Sequence, residues 1–304
     1  MAGRLNRDIC VAEIPGLGSP YGYVPSFAAG IAFCVVFAFS MFGHIFMAVK
    51  NKTWWQFIFV VGALGELIGW AGRTWSNKCQ YQTTPFLIQI CSLILAPAFF
   101  TAGIYVILGR LIVTLGRHTS PISPNMYLYI FCTVDVISLV IQAVGGGMAS
   151  VAFQQDPIGN TDTGTRIMVA GVLFQLSAIV VFSFLFVWVV LKGLKSRGEV
   201  LRETKVRLIL GATVVSVAAL VARAVYRTIE LLQGWEGYLI TTEKYFFALD
   251  GAMMVLAVVV FNFAQPGWAD PWKGKIENHS NVSQGDMVQG SPYTVEGDVD
   301  RYRK

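Results

Sequence analysis

Seven apolar stretches, each long enough to cross a hydrocarbon core as a helix, constrain this chain more than any other feature. They run over about 25–49, 54–75, 86–115, 125–149, 167–191, 206–232 and 243–264. Crossing the core takes about 20 apolar residues, and within lipid every backbone N–H and C=O must be paired inside the element. The expected fold is therefore all-α, a polytopic membrane protein whose residues 25–264 form a seven-transmembrane-helix bundle. The third and sixth stretches are long enough to tilt or to project from the bilayer. Only 13% of the 304 residues are charged, where a soluble domain carries about 25%. No polar linker divides the chain into two soluble domains.

The basic residues orient the bundle. Arg4, Arg7, Lys78 and Arg166 fall on the N-terminal side. Lys50, Lys52, Arg110, Arg117, Lys192, Lys195, Arg197, Arg202, Lys205, Arg207, Lys273 and Lys275 fall on the other. Twelve against four predicts an N-terminus outside and a C-terminus in the cytosol. The same distribution, confined to short gaps between spans, accounts for the net charge of +5 without a nucleic-acid partner. Residues 1–24 lack the apolar core of a cleavable signal peptide and read as a short extracellular segment. Residues 265–304 are poor in aliphatics and predict a disordered cytosolic tail. Three glycosylation sequons, at Asn51, Asn278 and Asn281, fall on the cytosolic side, so they are expected to stay unmodified. Cys34, Cys91 and Cys132 lie in apolar runs, whereas Cys10 and Cys79 both lie outside, where the sequence leaves their pairing open.

Charged and amide side chains inside the spans are the functional signal, because each costs a few kcal/mol in lipid unless paired or used. Span 2 carries Glu66 and Arg73, seven residues and about 10 Å apart on one face. Span 4 carries Asp135 and Gln142 at the same interval. Span 6 carries Arg223, Arg227 and Glu230, span 7 carries Glu243 and Asp250, and spans 3 and 5 add Gln89 and Gln175. Nearly all lie between the midplane and the outer surface, with Glu66 and Asp135 deepest, which predicts a polar cavity facing outward. The bland alternative is a set of ion pairs, Glu66 with Arg73 or Arg223 and Asp250 with Arg227, that only holds the bundle together. Five acids against three arginines leave two acids over, each protonated or answered by a cation. Pro97 in mid-span predicts a kink, the Gly62, Gly65, Gly69 and Gly72 stripe predicts close helix contact, and Gly145-Gly146-Gly147 predicts close approach or unwinding.

Other chemistries find no residues. There is no phosphate-binding glycine loop, and His44, His118 and His279 are too scattered for a zinc site. Span 7 has no mid-span lysine for a retinal Schiff base, and no nucleophile–base pair can be named. No catalytic residue, metal or cofactor is expected.

Several stretches, in this order and spacing, resemble the fungal lipid-translocating exporter family, also called resistance-to-aminocholesterol-like (RTA-like). They are Tyr21-Gly-Tyr-Val-Pro25, Gly65-Glu-Leu-Ile-Gly-Trp-Ala-Gly-Arg73, and Leu95-Ala-Pro-Ala-Phe-Phe-Thr-Ala-Gly-Ile-Tyr105 with Gly109-Arg110. Then come Asp135 through Gln142-Ala-Val-Gly-Gly-Gly147, Gly171 with Gln175, Arg223 through Arg227-Thr-Ile-Glu230, and Glu243 through Asp250. The likeness spans residues 21 to 267. Trp70, Phe247 and Gln265 depart from the family pattern, which has tyrosine, tyrosine and histidine there. The resemblance implies seven helices, a plasma-membrane or endomembrane location, and a link to moving or resisting amphiphiles such as sphingoid bases, amino-sterols and porphyrins.

Two functions remain open. A transporter of an amphiphile, with membrane lipid as its surroundings, would use Glu66, Asp135 and Asp250 on a cationic head group while Arg73, Arg223 and Arg227 orient the carboxylates. A seven-helix sensor would instead present the basic loop Lys192 to Arg207 to a protein partner, which the sequence does not identify. Span 3 ends in Gly109-Arg110-Leu111 and span 7 in Asn262-Phe-Ala-Gln-Pro266, neither of which has the spacing of common seven-helix receptors.

Overall fold

The computed structural model describes Cys10 and residues 21–154, 160–234 and 237–269. The tail expected to be disordered from 265 begins instead with an ordered 3-10 turn, Pro266–Ala269, packed against α3 and α6; its remainder beyond 269, and most of the N-terminal segment, lie outside the described residues. Seven helices are long and apolar enough to cross a membrane. They are α1 (Phe27–Lys50), α2 (Phe57–Lys78), α3 (Thr83–Leu115), α4 (Pro124–Gln154), α5 (Asp162–Arg202), α6 (Thr204–Leu232) and α7 (Glu243–Phe263). Ser26 caps α1, its hydroxyl accepting from the Ala29 amide. α3 stops at Gly116, whose φ of 98° suits a residue without a Cβ. α5 has 41 residues and at about 1.5 Å per residue is far longer than the hydrocarbon core. Hydropathy marked 167–191 alone for this helix, because the polar turns at each end carry no membrane signal.

Neighbouring helices pack in chain order and the ring closes through α1 on α7. α3 is the hub, touching α2, α4, α5, α6 and α7. Its buried face, from Leu93 through Phe100, Ile104 and Leu108 to Leu115, forms the middle of the apolar core. The outer surface is studded with exposed Phe39, Phe46, Val140, Phe184 and Phe263, as lipid contact requires, since lipid tails are as apolar as the core.

Two helix pairs are drawn together by absent side chains. A Cβ on Gly69 would meet the Leu93 side chain at 2.5 Å, and one on Gly65 would meet Ala96 at 3.1 Å, so α2 lies directly on α3. A Cβ on Gly145 would come within 2.5 Å of the Met168 amide, so α4 and α5 nearly touch backbone to backbone. Gly147 faces open space. The glycine run therefore provides close approach in an unbroken helix rather than unwinding. Two departures from regular helix remain: Pro97 inside α3, and a π-helical turn over Phe246–Gly251 inside α7. Periodicity cannot reveal the second, because one extra residue in a turn leaves hydropathy unchanged.

Candidate functional site

The helix ends where α1 begins and α2 finishes define a proximal end of the bundle. Cys10 and Cys79 are joined there by a disulfide, with Cα atoms 4.5 Å apart. Residues 21–26, which lead into α1, pack against this end. The Tyr21 hydroxyl lies 2.8 Å from the Ser76 hydroxyl and donates to Gln89 Oε1 at 3.0 Å. Burial pushes the Tyr21 phenol up to about 12, so it serves as a neutral hydroxyl.

Beneath this cap lies the first of two polar regions. Arg73 of α2 pairs with Glu243 of α7 at 2.7 Å and donates to the Tyr23 hydroxyl at 2.7 Å. Glu243 also accepts from the Ser26 amide at 2.7 Å. The rings of Tyr21, Tyr23, Phe246 and Phe247 surround the guanidinium, the closest centroid being 4.5 Å away, an arrangement that stabilises a desolvated cation. Deeper in, Arg223 Nε lies 2.9 Å and Arg227 Nε 3.3 Å from the same oxygen of Asp250. Arg227 also pairs with Glu230 at 2.7 Å, and Glu230 accepts from the Tyr226 hydroxyl at 3.0 Å. Arg73 therefore answers Glu243 rather than Glu66, and Asp250 is held by two arginines.

Three acids are answered by arginines, and Glu66 and Asp135 are the two left over: among the described residues neither has an ion pair within 4.0 Å. Glu66 is wholly buried beside the Trp70 indole, in the field of Arg223, Arg227 and Asp250. The indole approaches the carboxyl, but neither Glu66 oxygen has a hydrogen bond of good geometry.

Asp135 has a different setting. Its Oδ2 accepts from the Thr101 hydroxyl at 2.8 Å and the Tyr105 hydroxyl at 3.1 Å, both from α3. The carboxyl lines a cavity of about 50 Å³ enclosed by α3, α4, α5 and α6. That volume holds a few waters but no lipid. Ile90, Ile94, Val172, Ile179 and Leu220 give it apolar walls. Gln142 donates to Gln175 across it at 3.1 Å, and Arg223 and Arg227 form part of its α6 side.

The polar residues singled out from sequence thus divide between two places. Glu66, Arg73, Glu230, Glu243 and Asp250 belong to the network, Gln89 anchors Tyr21, and Asp135, Gln142 and Gln175 line the cavity. Arg223 and Arg227 border both. Thr101, Tyr105, Tyr21 and Tyr23 were not anticipated. The first two stand at i and i+4, one turn and two turns past Pro97, and that spacing on a buried helix was the available signal.

Comparison with known proteins completes the description. Residues 59–272 match the family described as RTA1 like protein. A sphingoid long-chain base transporter of Saccharomyces cerevisiae (strain JAY291), RSB1, is 33% identical over 288 residues, covering 84% of this chain and 74% of the relative. Protoporphyrin uptake protein 1 of Saccharomyces cerevisiae is 30% identical, covering 67% of this chain and 66% of the relative. Protein RTA1 of the same yeast is 28% identical, covering 81% and 84%. No solved structure matches.

Proposed function

Because the chain belongs to the RTA1-like family of membrane proteins, we propose that it is a transporter of an amphiphile whose cationic head group binds Asp135 in the α3–α6 cavity. The observation that carries this reading is a carboxyl on a cavity wall that accepts from two hydroxyls and, among the described residues, has no ion pair within 4.0 Å. An ammonium group would supply that charge, and the apolar walls suit the start of a hydrocarbon tail. Two of the relatives are named for moving amphiphilic molecules, a sphingoid long-chain base in one and protoporphyrin in the other. The remaining polar residues, Glu66, Arg73, Gln89, Gln142, Gln175, Arg223, Arg227, Glu230, Glu243 and Asp250, frame the site and hold its helices. Its work is binding and movement rather than covalent chemistry.

The protein is an integral membrane protein, and the reading places it in the plasma membrane with its N-terminus outside. The excess of basic residues on the distal side supports this orientation. So does the Cys10–Cys79 disulfide at the proximal end, since such bonds persist in oxidising compartments.

The test is uptake and release of a fluorescent sphingoid base by liposomes containing the purified full chain. Movement that depends on the protein and is lost in Asp135→Asn supports transport through this cavity. A well-folded protein that binds the probe and moves none of it would favour the sensor instead.

A further inference from the structure

Arg223 has a second partner that charge balance does not account for. Pro97 has no N–H, so the carbonyl four residues earlier, that of Leu93, has no donor within α3. Arg223 Nη2 donates to that carbonyl at 2.6 Å. The Nε of the same guanidinium lies 2.9 Å from Asp250 Oδ1, and Asp250 belongs to the π-helical turn of α7. One side chain from α6 therefore joins the points at which two neighbouring spans depart from regular α-helix, a carbonyl without its donor in α3 and a π turn in α7. Prolines and π turns are the places where helices bend.

The Pro97 position is also tied to the cavity, whose wall it forms in part. Thr101 is one turn beyond Pro97 and Tyr105 is two, and both hydroxyls hold Asp135. A change of bend at Pro97 carries these donors with it. Arg223 itself lines the cavity that Asp135 faces, so a cation bound to Asp135 would repel the guanidinium across a space of low dielectric. The repulsion favours a state in which Arg223 stays with Asp250 and releases Leu93, and a ligand shifts a conformational equilibrium only through such a difference between states.

We propose that Arg223 is the latch of this bundle: its grip on the Leu93 carbonyl holds the cavity closed, and a cationic head group at Asp135 loosens it. The proposal rests on the reading of the cavity as the ligand site, and it makes Arg223 a positioning residue.

Four variants of the full chain in liposomes test it, each first shown to be folded by its thermal melt. Equilibrium binding and transport of a fluorescent sphingoid base are measured separately. Pro97→Ala returns an N–H to Leu93 and makes the latch redundant, so transport should fall at least tenfold while binding stays within twofold. The charge-neutral pair Arg223→Gln with Asp250→Asn should fold and bind, yet fail to transport. Adding Arg223→Gln to Pro97→Ala should lower transport no further than Pro97→Ala alone. Wild-type transport by either Pro97→Ala or the charge-neutral pair would overturn the latch, the second by showing that Arg223 is only a counter-ion. Asp135→Asn separates the two ideas. If it binds the probe normally, the cavity reading fails and the latch with it. If it loses binding while Pro97→Ala transports normally, the cavity reading survives and the latch does not.

Discussion

The ionic network of α2, α6 and α7 and the cavity of α3 to α6 draw on the same kinds of residue, yet they use them in opposite ways. In the network, Glu243, Asp250 and Glu230 each meet an arginine, and the hydroxyls of Tyr23 and Tyr226 and the Ser26 amide take up further bonding positions. Glu66 apart, each acid of the network already has its arginine. At the cavity, Asp135 receives two neutral hydroxyls and no cation. A carboxyl enclosed by its own protein stabilises the fold, whereas one presented to a cavity with its charge unanswered is available to a partner from outside. Density of charge along a span therefore does not locate a site; an unpaired acid on a cavity wall does, and of the two left over Asp135 lies on one while Glu66 is wholly buried away from it.

The comparison breaks most visibly if Arg73 proves dispensable. Removing one partner of a fully buried pair costs about 3–5 kcal/mol; Glu243 is 21% exposed, so Arg73→Ala should cost less than that and still reduce the folded yield and lower the melting temperature in detergent. Asp135→Asn should leave the melt nearly unchanged. Similar melts for the two variants would erase the distinction between network and cavity. The double change Arg73→Met with Glu243→Leu removes both charges together and should recover most of the stability that Arg73→Ala loses.

A smaller effect separates the glycine contacts from the rest of the bundle. Gly145→Val forces side-chain atoms against the Met168 backbone and should cost about 1–3 kcal/mol, read as a lowered melt. Gly147→Ala, which faces open space, should be neutral or slightly stabilising. Equal losses at the two positions would show that α4 and α5 are not closely packed there.

The smallest effect sharpens the cavity itself. Thr101→Val removes one of two donors to Asp135 at nearly constant volume, and a hydrogen bond to a charged group is worth about 1.5–3 kcal/mol. Without that competing donor the carboxylate is freer to attract an ammonium group or to keep its own proton. Probe affinity should therefore shift about tenfold or more, with the melt lowered modestly by the lost bond. Unchanged affinity would mean that Thr101 and the head group do not share the carboxyl.

Much of this molecule is legible along the chain. Hydropathy alone identifies seven spans because a helix in lipid must be apolar over the full core thickness; it misses by a turn or less at both ends of α2 and the start of α3, and by most at the ends of α4 and α5, where helix continues past the apolar run. The glycine stripe of α2 and the proline of α3 are equally plain, since each acts through its own backbone. The π turn of α7 is not, nor is the pairing of Arg73 with Glu243, 170 residues away. Side-chain partners between helices depend on how each helix is rotated about its axis, which period and spacing constrain only to a face.

Hydropathy and a count of charges along the chain suffice to make this a seven-helix membrane bundle in which five acids face only three arginines. Which acids remain unanswered was decided by the tertiary structure. Glu66 and Asp135 are left over because α6 turns its arginines towards Asp250 and Glu230. One of those arginines is also drawn to the Leu93 carbonyl that Pro97 leaves without a donor. Composition sets how many charges must be answered, but an ion pair or hydrogen bond acts over about 3 Å, and only packing brings residues more than a hundred positions apart within that distance.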